Sequence, residues 1–217
     1  MSEIEESVVR IPADADFIEG NLHLPPAAKG VVLFAHGSGS SRFSPRNKYV
    51  AEVLNNAGIA TLLIDLLTPE EEAIDVRTQQ YRFDIELLAE RLISAAKWLK
   101  KNPKTRDFSM GLFGSSTGAA AALIAAAKLP DDVAAVVSRG GRPDLAMEYL
   151  AEVQAPTLFI VGGRDAVVIG LNKKAMAQVP AAKKLEIVAG ATHLFEEPGK
   201  LEEVAKLATG WFLEHLS

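Results

Sequence analysis

Short apolar runs rich in β-branched and aromatic residues alternate with longer stretches of helical periodicity along almost the whole chain, and this alternation restricts the fold more than any other feature. The runs that read as strands are Phe17–Leu24, Val31–Ala35, Ala60–Ile64, Phe108–Phe113, Ala134–Ser138, Thr157–Val161 and Leu185–Val188. Most are continuously apolar, as strands covered on both faces of a parallel sheet are. Between them lie helical patterns at Asn47–Asn56, Tyr81–Lys101, Thr117–Lys128, Leu171–Gln178 and Lys200–Leu216. In the second of these, Ile85, Leu88, Leu92, Ala95, Ala96 and Leu99 form one stripe, and Pro103 stops the helix. Strand and helix in alternation imply right-handed crossovers, and so an α/β fold: a mostly parallel, doubly wound sheet with helices on both faces. Phe17–Leu24 precedes Pro25-Pro26, which points to an antiparallel hairpin opening the sheet. With no repeat, low-complexity tract or linker, residues 1–217 read as a single domain.

Composition removes several chemistries. Without cysteine there is no disulfide framework, thiolate metal site or thiol nucleophile. The four histidines, His23, His36, His193 and His215, show no metal-ligand spacing, and no metal or cofactor is expected. A net charge of −5 argues against a nucleic-acid partner. The acidic start Met1-Ser2-Glu3-Ile4-Glu5-Glu6 lacks the apolar core of a signal peptide. The longest apolar runs, about ten residues, fall short of the ~20 that span a bilayer. The expectation is a cytoplasmic protein with no membrane partner, acting as a monomer or small homo-oligomer on a small molecule.

In such a fold chemistry gathers at the carboxyl ends of the strands. There, Gly114-Ser115-Ser116-Thr117-Gly118 follows an apolar strand and opens an alanine-rich helix, the Gly-x-Ser-x-Gly pattern with Ser116 at its centre. A serine on so tight a turn adopts a strained backbone, and the residues two before and two after it must be small. Gly114 and Gly118 meet that demand for Ser116, whereas Ser115 has Phe113 two residues before it. A serine nucleophile needs a base, and the base an orienting acid. Asp165 follows the strand Thr157–Val161 and His193 follows Leu185–Val188, giving the chain order Ser, acid, His. The competing roles are a turn-capping aspartate and an ordinary loop histidine.

The strand Val31–Ala35 leads into His36-Gly37-Ser38-Gly39-Ser40, where an oxyanion hole would find its first amide. Ser38 is the expected donor and Gly39 the alternative; Thr117, at the helix N-terminus, would supply the second. His36 reads as a prop for this loop rather than a proton carrier. Arg139 and Arg164 also follow strands on this edge, where either could meet a substrate carboxylate, although an ion pair with Asp144, Asp165 or a carboxylate near Glu70 is the favoured role for each. The acidic run Glu70-Glu71-Glu72 reads as a solvated helix start. Gly37-Ser38-Gly39-Ser40-Ser41-Arg42 begins like a dinucleotide fingerprint, but Arg42 stands at the third glycine and no helix follows at once.

Taken together, His36-Gly37-Ser38-Gly39-Ser40-Ser41-Arg42, Gly114-Ser115-Ser116-Thr117-Gly118, Gly162-Gly163-Arg164-Asp165 and Gly190-Ala191-Thr192-His193 resemble the small, lidless dienelactone-hydrolase-like group of α/β-hydrolases over almost the whole length. Dienelactone hydrolases proper are similar in fold but use a cysteine nucleophile, so their substrate does not carry over. The resemblance implies hydrolysis of carboxylic esters. Acyl transfer or perhydrolysis by the same triad, or a non-catalytic binding role, are the alternatives. About 19 residues separate Ser138 from Thr157, too few for a lid, which suits an open site and small esters. Its walls are expected from Arg42–Arg46, Thr68–Asp75 and Arg139–Leu145.

Overall fold

The computed structural model describes residues 4–14 and 16–216. Among them eight strands form one continuous sheet: β1 (Glu5–Ala13), β2 (Asp16–Leu24), β3 (Gly30–Ala35), β4 (Ala60–Ile64), β5 (Ser109–Ser115), β6 (Val133–Arg139), β7 (Thr157–Gly162) and β8 (Lys183–Val188). Their spatial order is β1-β2-β4-β3-β5-β6-β7-β8. The hairpin β1–β2 and the pair β2–β4 are antiparallel, and every later pairing is parallel. This is the α/β-hydrolase fold.

Two apolar layers follow from the alternation of side chains along each strand. Val32 and Phe34 of β3, with Phe113, Val137 and Ile160, meet Val50 and Leu54 of α1 (Pro45–Asn56) and Val204, Ala208 and Phe212 of α6 (Lys200–His215). Val31, Leu33, Leu62, Leu112 and Val136 face the other way, onto α3 (Ile85–Lys101) and α4 (Thr117–Lys128). The alanines Ala119–Ala122 of α4 are fully buried, and their small side chains bring the helix axis close to the sheet.

The chain departs from the sequence reading at its less apolar elements. β1 carries little strand signal because it is an edge strand: its residues up to Arg10 are exposed or part-buried, and only Ile11 and Ala13 near its end are buried. α2 (Pro69–Thr78) was visible only as its acidic start. It carries a capping box in which Glu71 N–H donates to Thr68 Oγ1 and Thr68 N–H donates to the Glu71 carboxylate. α3 begins at Ile85 rather than Tyr81, because the amides of Tyr81 and Arg82 donate to Asp75 while Asp84 caps the helix. α5 (Ala166–Met176) starts immediately after Asp165, earlier than its apolar residues suggest.

Winding reverses at β3: the chain passes to β4 on one side and then to β5 on the other. A crevice therefore opens beyond the carboxyl ends of β3 and β5. The loops after β6, β7 and β8 end on the same edge. The β6–β7 connection holds two single-turn 3-10 helices, Pro143–Ala146 and Leu150–Glu152, and no lid domain. Among the described residues no helix is long and apolar enough to cross a membrane.

Candidate active site

Ser116 sits between β5 and α4 with φ 51° and ψ −119°, a conformation that costs a non-glycine residue about 1–3 kcal/mol. The glycines around it are sterically required. A Cβ on Gly114 would lie 2.3 Å from the Ala119 Cα, and one on Gly118 would lie 2.4 Å from the His36 carbonyl oxygen. The turn is held by Ser116 N–H donating to the Arg139 carbonyl (3.2 Å). Its neighbour Ser115 is buried and donates its hydroxyl to Asn47 Oδ1 (2.9 Å), a packing contact rather than a reactive position.

His193 Nδ1 lies 2.6 Å from Asp165 Oδ2. An ionised carboxylate only accepts, so Nδ1 is the donor in this contact, and in the neutral ring Nε2 then carries the lone pair. The β7 and β8 loops are laced by Gly163 N–H to the Val188 carbonyl (2.8 Å) and Arg164 N–H to the Ala191 carbonyl (2.9 Å). Gly162 permits this approach, since a Cβ there would come 2.4 Å from the Thr192 carbonyl oxygen. Asp165 stands at the N-cap of α5, yet its carboxylate makes no capping bond and turns to the imidazole instead. Ser116 and His193 line one cavity of about 230 Å³, together with Gly37, Ser38, Arg46 and Arg139. Among the described residues no hydrogen bond joins Ser116 Oγ to the imidazole; such bonds commonly tighten only when substrate is bound.

His36 props its loop. Its Nδ1 donates to the Gly37 carbonyl (2.9 Å) and its Nε2 accepts from Leu66 N–H (3.2 Å), which fixes a neutral ring. Burial holds its pKa below the ordinary imidazole value, against the opposing pull of the Gly37 carbonyl and of Asp65. An unfolded His36 takes up a proton near ~6.5, whereas the folded ring resists until lower pH. Its contribution to stability is therefore complete above that value and is lost as pH falls through the window beneath it. Melting temperature measured from pH 7 to pH 5 should fall more steeply for the wild type than for His36→Asn. Parallel curves would remove His36 as the cause.

Three expected site residues stand differently from their reading. The Ser38 amide is not free: it donates to Thr117 Oγ1 (2.9 Å), because the first side chain of α4 reaches across to the β3 loop. Gly39 lies outside the Ser116 cavity and faces a separate one behind the loop, where a Cβ would meet Arg82 Nη1 at 3.4 Å. Arg164 is exposed and does not line the cavity, since the tight turn closed by Asp165 N–H to the Gly162 carbonyl (3.0 Å) aims its neighbours oppositely. Thr68 and Glu72 likewise line another cavity, beside Arg42 and Phe43.

Arg139 is in the cavity but lacks the ion pair expected of it. Asp144 is taken by Arg142 (2.8 Å) and Asp165 by His193. Among the described residues the Arg139 side chain makes no hydrogen bond, its Nη1 is buried without a partner, and the residue is 7% exposed. Burial, and next the nearby Arg46, push its pKa down to about 10, so it stays protonated at neutral pH. Arg46, the last residue of the segment Arg42–Arg46 expected to wall the site, and Asn47, which the sequence did not mark, complete this wall from the first turn of α1.

The model of the dienelactone hydrolase family matches residues 18–213. The chain belongs to the dienelactone hydrolase family. A crystal structure of a dienelactone hydrolase from Anabaena variabilis is 57% identical, superposes with a TM-score of 0.98, and both chains are covered completely. A Mycobacterium tuberculosis protein that carries the provisional name phosphoribosyl transferase is 57% identical over 98% of this chain. The chain spans only 47% of the length of that relative. Est1E from Butyrivibrio proteoclasticus is 17% identical with a TM-score of 0.79, covering 95% of this chain and 98% of its own, a likeness of fold.

Proposed function

We propose that the chain hydrolyses small carboxylic esters, with Ser116 as nucleophile, His193 as base and then acid, and Asp165 as the group that orients the imidazole. Ser116 Oγ attacks the ester carbonyl while its proton passes to His193 Nε2. The amides of Thr117 and Ser38 receive the oxyanion, the first gaining from the positive end of α4. Rotation of the Thr117 side chain frees the Ser38 amide from the hydroxyl it now serves. His193 next protonates the leaving alcohol, then takes a proton from water as the water attacks the acyl-enzyme, and returns it to Ser116 Oγ as the acid is released.

The observation that carries this reading is the 2.6 Å contact from His193 Nδ1 to Asp165, which leaves Nε2 as an acceptor at a cavity that Ser116 also lines. Phosphoribosyl transfer, the activity in the name of the M. tuberculosis relative, has no use for an elbow serine with a histidine–aspartate pair.

Hydrolysis of p-nitrophenyl esters of increasing acyl length tests the reading. In an open site the later methylenes stay in water and do not gain the ~0.8 kcal/mol that burial gives each. Turnover should therefore peak at short chains, roughly two to six carbons by that argument. No turnover on any of the series, or a preference for emulsified long-chain glycerides, would contradict it. Product analysis with added alcohol or peroxide separates hydrolysis from acyl transfer.

A further inference from the structure

The cavity beside Ser116 holds more positive charge than an uncharged ester can use. Arg139 is 7% exposed and meets no carboxylate among the described residues, and its Nη1 is buried without an acceptor. Burying a guanidinium without a counter-charge is costly, and a bound anion would offset that cost. Arg46 lines the same cavity, and its Nε is also buried and unpartnered. Its one ion pair, Nη1 to Glu196 (2.8 Å), involves a carboxylate whose side chain is 62% exposed, so solvent screens it heavily. The two guanidiniums are close enough for Arg46 to depress the Arg139 pKa.

A second element points the same way. Arg46 stands near the start of α1, which Ser44 caps and whose first turn contains no acidic residue. The positive end of this twelve-residue helix thus adds to the two arginines; Pro45 has no N–H and the Asn47 N–H donates to Ser44 Oγ, which leaves the Arg46 amide to face an anion. Ser38, Ser40 and Ser44 line the same cavity and contribute hydroxyl-bearing side chains.

We propose that this wall is the seat of a phosphate monoester, and that the substrate is a short ester carrying a phosphate at its other end. The placement of the scissile carbonyl rests on the serine-hydrolase reading above; the phosphate seat does not. A phosphate monoester brings close to two negative charges near neutral pH and three terminal oxygens. That matches two guanidiniums and a helix end, where a carboxylate offers one charge and two oxygens. Arginine also presents a planar fork suited to phosphate. Ser116, Arg46 and Arg139 line the same cavity of about 230 Å³, so seat and nucleophile are neighbours and the linkage between phosphate and ester carbonyl is short.

Calorimetric titration of the Ser116→Ala protein with ethyl phosphate, and separately with propionate at the same ionic strength, tests the seat without using turnover. Ethyl phosphate should bind at least about tenfold more tightly than propionate, and Arg139→Met in the same background should weaken it by about tenfold or more. Arg46→Gln, in a residue much less buried, should weaken it as well. If Arg139→Met does not fold, Arg46→Gln decides. Three results would overturn the proposal: no binding of ethyl phosphate at millimolar concentration, propionate binding as tightly, or arginine variants that bind like the parent. Loss of hydrolysis in some unrelated variant would bear on the serine reading alone.

Discussion

Ser116→Ala is expected to remove ester hydrolysis by about 10⁶-fold in kcat, the scale found when a nucleophilic serine is deleted from a triad. The protein should remain folded. The serine makes no side-chain bond at the N-cap of α4, and alanine at φ 51° bears the same backbone strain as serine. The turn itself depends on Gly114, Gly118 and the Ser116 N–H to Arg139 bond, none of which the substitution touches. Kinetics on a short aryl ester, with melting temperature on the same samples, checks both halves. Retention of most activity would place the nucleophile elsewhere; loss of activity together with loss of the fold would make the serine structural.

Asp165→Asn is the second large effect, about 10⁴-fold in turnover with binding little changed. The asparagine amide can offer an N–H to Nδ1, which favours the tautomer whose Nε2 already holds a proton and cannot take one from Ser116. The same change also removes the charge that stabilises the imidazolium. Asp65 provides the contrast. It ends β4 on the same edge, but it accepts from the Arg42 amide (2.9 Å) and from the Arg42 guanidinium, which Glu19 and Asn21 also hold. Asp65→Asn should therefore lower melting temperature more than turnover. Near wild-type kinetics for Asp165→Asn with an inactive Asp65→Asn would move the acid to β4.

The residues whose roles are set by local backbone were the legible ones. Ser116, Asp165 and His193 each follow a strand; Gly114 and Gly118 stand two residues either side of Ser116 and Gly162 three before Asp165, where close approach leaves no room for a side chain, so chain order and turn chemistry single these residues out. β1 and α2 were less legible because one is a half-exposed edge and the other owes its start to a capping box rather than an apolar stripe. Beyond the contact of His193 with Asp165 and the place of His36 in its loop, choices of partner were not legible. That Thr117 Oγ1 occupies the Ser38 amide, that Asp144 goes to Arg142 and leaves Arg139 alone, and that Arg91 in α3 joins Asp14 and Glu71 all depend on which loops meet in space. Gly39 and Arg164 show the same limit: each is next in sequence to a residue of the site, and a tight turn sends each the other way.

The central claim is that Ser116 is the nucleophile of an acyl-transferring triad, and the most direct measurement is covalent. Treatment with a serine-directed fluorophosphonate, followed by intact-mass and peptide mapping, should add one adduct per chain, located on Ser116. Hydrolysis of a short ester should fall in step with labelling, and Asp165→Asn should label far more slowly. An adduct on Ser115 or any other serine, or full inactivation with Ser116 unmodified, would contradict the account.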